Sequence, residues 1–104
     1  MSEAQRSLRI ERTDASSVRV SGAIGFSDAG EAVRRTGELF AGDAKSVTAD
    51  LGGLARADSA TLGVLLIWAA AAAARGVKLR FANPPQGLQA LAHLCDAEPL
   101  LGLA

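Results

Sequence analysis

Apolar and polar residues alternate over two short segments near the start of the chain, 8–12 (LRIER) and 17–22 (SVRVSG). Leu8, Ile10, Val18 and Val20 fall on one side and Arg9, Glu11 and Arg19 on the other. A period of two marks a strand with one buried face, and the turn-like Thr13-Asp14-Ala15-Ser16 between the segments predicts an antiparallel hairpin. From Asp28 to about Phe40 the spacing becomes helical, with Ala29, Ala32, Val33, Thr36, Leu39 and Phe40 near one stripe. Asp28 is expected as the N-cap, Glu31 as its capping-box partner and Gly42 as the stop. Ser46 to Leu51 returns to period two, with Val47, Ala49 and Leu51 inward, and Gly52-Gly53 reads as the loop that follows.

Ser59 to Arg75 is apolar almost all round and stops before Gly76, which predicts a long, mostly buried helix. Val77 to Phe81 alternates once more, and Asn83-Pro84-Pro85 opens a helix in which Leu88, Leu91, Ala92 and Cys95 keep spacings of three and four. Glu98 to Leu103 reads as a last helical turn that caps the core with leucines. The order strand, strand, helix, strand, helix, strand, helix implies an α/β fold. Its mixed sheet should have later strands joined by right-handed crossovers. Strands covered on both faces would be continuously apolar, whereas these alternate, so the helices should pack mainly on one face and leave the other open.

Length and composition narrow the function. A chain of 104 residues is expected to form a single domain, 1–104. Eleven basic against eleven acidic side chains give no net charge, so nothing draws the chain toward nucleic acid. With no tyrosine and 4% aromatic residues, stacking platforms for single strands or sugars are also not expected. The single cysteine forms no internal disulfide, and the opening MSEAQRSLR has no apolar stretch of a secretory signal, so a cytoplasmic protein is expected. The longest apolar run, Leu62 to Ala74, is shorter than the roughly 20 residues of a membrane span and is bounded by Asp58 and Arg75.

Catalytic equipment is not legible. There is no phosphate-binding glycine loop and no cluster at metal-ligand spacing, so no cofactor or metal is expected. His93 and Cys95 stand two apart on a helix and face different ways, the first partly exposed and the second buried as a small hydrophobe. Gly22 and Gly25 read as turn glycines with unusual backbone angles. An enzyme using Ser59 as a nucleophile is a poor reading, because the only histidine is placed on another helix.

The informative stretch is ADLGGLARADSATLGVLLIW, residues 49–68. Asp58 or Ser59 suits an N-cap, yet a cap alone leaves unexplained why Asp58, Ser59 and Thr61 gather at the start of so apolar a helix. A polar rim on an apolar helix suggests a docking surface. A phosphate at a helix N-terminus would be tolerated by the domain while altering a partner's contacts.

These residues resemble the STAS domain, found in bacterial anti-sigma factor antagonists and in some transporters. The likeness runs from Leu8 to Leu101. It is carried by Val20-Ser21-Gly22 through Phe26-Ser27-Asp28, by Asp50-Leu51, by Asp58-Ser59 in the signature turn, and by Asn83-Pro84-Pro85. The runs Asp58 to Trp68 and Arg80 to Ala92 are more similar to the MlaB-like branch, small cytoplasmic subunits of phospholipid-transport ABC complexes. In the sigma-regulating branch a phosphorylatable hydroxyl stands two residues after the aspartate. Here that position is Ala60, while Ser59 matches the hydroxyl of the MlaB-like branch and Thr61 stands where both branches usually have glycine.

The resemblance implies a non-enzymatic accessory subunit that binds the ATPase (MlaF-like) of a phospholipid ABC transporter and, through it, the permease. The chain would then lie in the cytoplasm, peripheral to the inner membrane through its partner, and support assembly or activity in lipid asymmetry maintenance. Asp58, Ser59, Ala60 and Thr61 would form the partner-binding or switch surface, with Arg56 at its rim and Trp68 as either an anchor or a core residue. The alternative is an anti-sigma factor antagonist released from its kinase by serine phosphorylation. Self-association through the apolar helix stays open.

Overall fold

The computed structural model describes residues 8–40, 42–55 and 57–101. Four strands form one sheet in the order β1-β2-β3-β4: β1 Arg9–Asp14, β2 Ser17–Gly22, β3 Ser46–Leu54 and β4 Lys78–Ala82. The first pair is antiparallel and the other two are parallel, giving the expected mixed sheet. The hairpin turn is tighter than the sequence suggests. The strand runs on to Asp14, whose carboxylate accepts the Ser16 amide at 2.8 Å, and that bond holds the carboxyl below its ordinary range.

Val18, Val20, Val47, Ala49, Leu51 and Phe81 are buried on one face of the sheet, whereas Arg19, Lys78 and Arg80 are exposed on the other. Along the open face Glu11 stands opposite Arg19, and Arg19 opposite Asp50, so carboxylates flank this cation on both neighbouring strands. The helices cover the buried face: α1 Ala29–Arg34, α2 Ser59–Ala74, α3 Gln86–Leu94 and α4 Glu98–Leu101. Leu101 is buried as the expected leucine cap, while Leu103 lies outside the described residues. No helix among the described residues is long and apolar enough to cross a membrane.

The first helix departs from expectation. The continuous helix over 28–40 is instead the short α1 followed by a 3-10 helix, Thr36–Phe40. The Thr36 hydroxyl donates at 2.6 Å to the carbonyl of Val33, the group an α-helical continuation would offer to Gly37, itself a poor helix former. The Arg12 guanidinium then donates to the carbonyls of Glu38 and Leu39 at 3.3 and 3.0 Å, satisfying the end of the 3-10 turn from β1. Asp28 does not cap α1 through its side chain, and Glu31 pairs with Arg34 at 2.9 Å instead of closing a capping box.

The Gly52-Gly53 loop is also corrected, because β3 continues through both glycines to Leu54. Its register against β2 slips between the pairs Arg19 with Asp50 and Ser21 with Gly53. A Cβ on Gly53 would lie 2.6 Å from that of Ser21, so the close approach of the two strands requires glycine there. Asp50 fastens the irregularity by accepting the Gly52 amide at 2.8 Å and the Asn83 side-chain amide at 3.1 Å. These bonds, the backbone one foremost, hold its carboxyl below the ordinary range.

The long helix ends as expected. Gly76 takes φ +68°, and the amides of Gly76 and Val77 bond back to the carbonyls of Ala73 and Ala72, a Schellman ending. The same ending closes α3 with Asp96 at φ 54°. Cys95, expected as a buried small hydrophobe, is exposed, because it stands at the C-cap just beyond the packed turns of α3.

Candidate functional site

β2 and β3 are parallel and end side by side, Gly22 opposite Leu54, with the Ala55 amide bonded to the Gly22 carbonyl at 2.7 Å. The loops that follow therefore leave the same end of the sheet, the carboxyl end where α/β folds place their crevices. One loop leads through Gly25, Phe26 and Ser27 into α1, and the other through Ala57 and Asp58 into α2. Gly22 takes φ 90° as a turn glycine. Gly25 has no such angle, and its Cβ position would lie 3.9 Å from Oδ2 of Asp58.

Asp58 has extended backbone angles, φ −141° and ψ −170°, as an N-cap requires. Its Oδ1 accepts the amide of Thr61 at 3.1 Å, and the Thr61 hydroxyl accepts the amide of Asp58 at 3.1 Å, a reciprocal capping box. The one hydroxyl proton of Thr61 goes to the carbonyl of Ile24 at 2.7 Å. Thr61 thus ties the helix start to the loop after β2.

Thr61 was grouped by sequence with the contact residues at the tip, and burial corrects that placement. Only 1% of it is exposed, so it holds the surface in shape without forming part of it. For Trp68, open in the sequence between anchor and core, burial decides for the core. It is fully buried and its Nε1 donates at 3.2 Å to the carbonyl of Ala32, so it anchors α1 to α2 inside the core and offers nothing to a partner. Arg56 lies outside the described residues.

What remains accessible is Ser59, which is exposed, with Asp58 and Ala60 half-buried beside it. The outward side of α2 carries no charge along its length: Ser59, Ile67, Ala70, Ala73 and Ala74 are exposed and Gly63 and Leu66 half-buried. The helix is therefore less enclosed than its composition suggests. Its buried side is Thr61, Leu62, Val64, Leu65, Trp68 and Ala72.

Sequence reasoning missed Phe26, which is 82% exposed in the loop that packs beside Asp58. The available signal was an aromatic residue between Gly25 and Ser27-Asp28, where a turn favours small polar residues. Among the described residues no group of three or more His, Cys, Asp or Glu side chains could hold a metal ion. The tip offers hydrogen-bonding groups, a free hydroxyl and apolar surface, an arrangement suited to contact.

Comparison with known proteins agrees with this architecture. The family model described as "Mlab, STAS domain" matches residues 8–102. No curated protein matches the sequence. Among solved structures, the chain is similar to the anti-sigma factor antagonist SpoIIAA in its unphosphorylated form, with a TM-score of 0.68, 14% identity, and coverage of 90% of this chain and 84% of that one. It is also similar to an anti-sigma factor antagonist from Mycobacterium paratuberculosis, with a TM-score of 0.63, 21% identity, and coverage of 89% and 80%. At these identities the two structures speak for the fold, while the match over residues 8–102 carries the family. The chain belongs to the MlaB-type STAS domain family.

Proposed function

We propose that the chain is a non-enzymatic accessory subunit that docks on the ATPase of a phospholipid-transporting ABC complex through the N-terminal tip of α2. STAS domains are typically non-catalytic, and their work is done through protein partners. The observation that carries the reading is the makeup of this tip within an MlaB-type chain: Ser59 faces outward directly after the capping aspartate, and Ala60 follows with no hydroxyl to phosphorylate. A tip held by the Asp58–Thr61 capping box and by Ile24 meets a partner with little ordering left to do, so it favours whichever ATPase conformation or assembly fits it. The chain would sit in the cytoplasm, held near the inner membrane by its partner.

The anti-sigma antagonist reading has the fold of SpoIIAA in its favour. It requires phosphate to land on Ser59, because Ala60 offers no acceptor and Thr61 is buried. The two readings separate in one pair of assays, co-purification with the transporter ATPase and incubation with an anti-sigma kinase and ATP. Retention by the ATPase supports the transport reading. Phosphate on Ser59 with loss of kinase binding overturns it.

Ser59→Glu tests the tip itself. A carboxylate in the first turn of a helix is tolerated or slightly stabilising, by about 0.3–1 kcal/mol. The melting temperature should therefore hold or rise while co-purification with the ATPase is lost. Unchanged co-purification would remove the tip from the interface.

A further inference from the structure

We infer that β1 is a strap that opens from the sheet without the rest of the fold, with Arg12 as its clasp, and that its opening bares the outer edge of β2. Five of its six residues are exposed and Ile10 is half-buried, so the strand itself adds little to the core. β2 differs on both counts: Val18, Val20 and Gly22 are buried, and β3 pairs with it on the far side. Burial of apolar surface is what makes an element costly to release, and an edge strand with so little of it opens ahead of the strands behind it.

Side chains hold the strap where apolar packing does not. The Arg12 guanidinium donates to four carbonyls, those of Asp14 and Ala15 in the hairpin turn at 3.2 and 3.1 Å and those of Glu38 and Leu39 in the 3-10 helix at 3.3 and 3.0 Å. All but the bond to Leu39 are exposed to water, which can take their place. At the start of the strand Arg35 donates to the carbonyl of the buried Leu8 at 2.9 Å and is braced by both carboxylate oxygens of Glu38 at 2.8 and 3.0 Å. While closed, the charged Arg9, Glu11, Arg12 and Asp14 blunt the edge of the sheet against pairing with other strands. When open, β2 presents unpaired amides and carbonyls up to its end at Gly22, where the loop that packs beside Asp58 begins. The tip of α2 keeps its shape in that state, because the bond from Thr61 to Ile24 does not involve β1. Alternation along β2 identifies the amides that report the opening. The carbonyls of Ser16 and Gly22 accept the amides of Thr48 and Ala55 on the β3 side. Val18 and Val20 therefore turn their amides to β3, while Arg19 and Ser21 turn theirs to β1, opposite Glu11 and Arg9.

The test is native-state hydrogen exchange of the full chain in rising, sub-denaturing urea, as the unaltered protein and as Arg12→Ala and Ala92→Gly. In the unaltered chain the amides of Arg9, Glu11, Arg19 and Ser21 should share one opening. They should exchange at least about tenfold faster than those of Val18 and Val20, with a weaker dependence on urea because less surface is exposed. Arg12→Ala should quicken these four by about tenfold, the loss of the clasp's hydrogen bonds. Ala92→Gly weakens α3, which stays folded while the strap is open, so it should leave the four unchanged. Arg19 and Ser21 exchanging at the rate and urea dependence of Val18 and Val20 would overturn the strap, as would Ala92→Gly quickening all six alike. Unchanged exchange of the four in Arg12→Ala would overturn the clasp.

Discussion

Trp68→Ala should cost about 3–5 kcal/mol of folding stability, the range found when a large aromatic is removed from a packed core. The side chain is fully enclosed, and it joins two layers of contact at once, the core beneath α2 and the backbone of α1 through the bond to Ala32. Alanine would leave a cavity and an unpaired carbonyl together. Small domains hold only about 5–15 kcal/mol in total, so the variant should unfold at markedly lower denaturant, with a melting temperature more than about 10 °C lower. Equilibrium denaturation in urea measures it. A loss below about 1 kcal/mol would mean that the indole is not part of the core and would restore its reading as a partner anchor.

Thr61→Val is the second large effect, and it separates shape from volume. Valine fills nearly the same space but has no hydroxyl, so the amide of Asp58 loses its acceptor and the carbonyl of Ile24 its donor. Leaving buried polar groups unpaired costs about 1–3 kcal/mol each. The variant should be destabilised by at least that amount, and amide exchange should quicken across residues 22–28 as the loop is released from the helix. Thr61→Ser keeps the hydroxyl and should restore the slow exchange. Equal stability of the valine variant would show that the loop is held by other contacts.

How much of this was legible in the sequence follows from what each feature depends on. The strands and α2 were legible because hydrophobic period and capping residues are local properties. Val18 and Val20 point inward together for the same reason that Arg19 points out, and Gly76 ends α2 because that position takes a positive φ. The break between α1 and the 3-10 helix was hidden because it depends on Thr36 bonding back to Val33 and on Arg12 reaching over from β1, contacts a periodic pattern does not encode. The extension of β3 through Gly52 and Gly53 was hidden for a related reason. Paired glycines usually mark loops, and only the nearness of Ser21 on β2 shows why glycine belongs in this strand.

At the site, the position of the helix tip was readable from Asp58 and Ser59, but the division of labour within it was not. A threonine three residues after an aspartate suits an exposed rim or a capping box equally. The carbonyl of Ile24, 37 residues away in sequence, decides for the latter. Trp68 is settled the same way by α1, which packs over it. Phe26 escaped notice because exposure is a property of the assembled fold, and its residue type argued for burial.

A chain that docks through one end of its sheet should bury that end when its partner binds. Amide hydrogen exchange of the full chain, alone and saturated with the transporter ATPase, tests it most directly. The amides of Ser59 and Ala60, which precede the capped amide of Thr61, have no acceptor within the helix and should exchange fast in the free protein. On binding, these amides and those of residues 23–28 should slow, while the open face of the sheet around Arg19 and Arg80 should stay unchanged. Protection confined to that open face, with the first turn of α2 exchanging as fast as before, would contradict it.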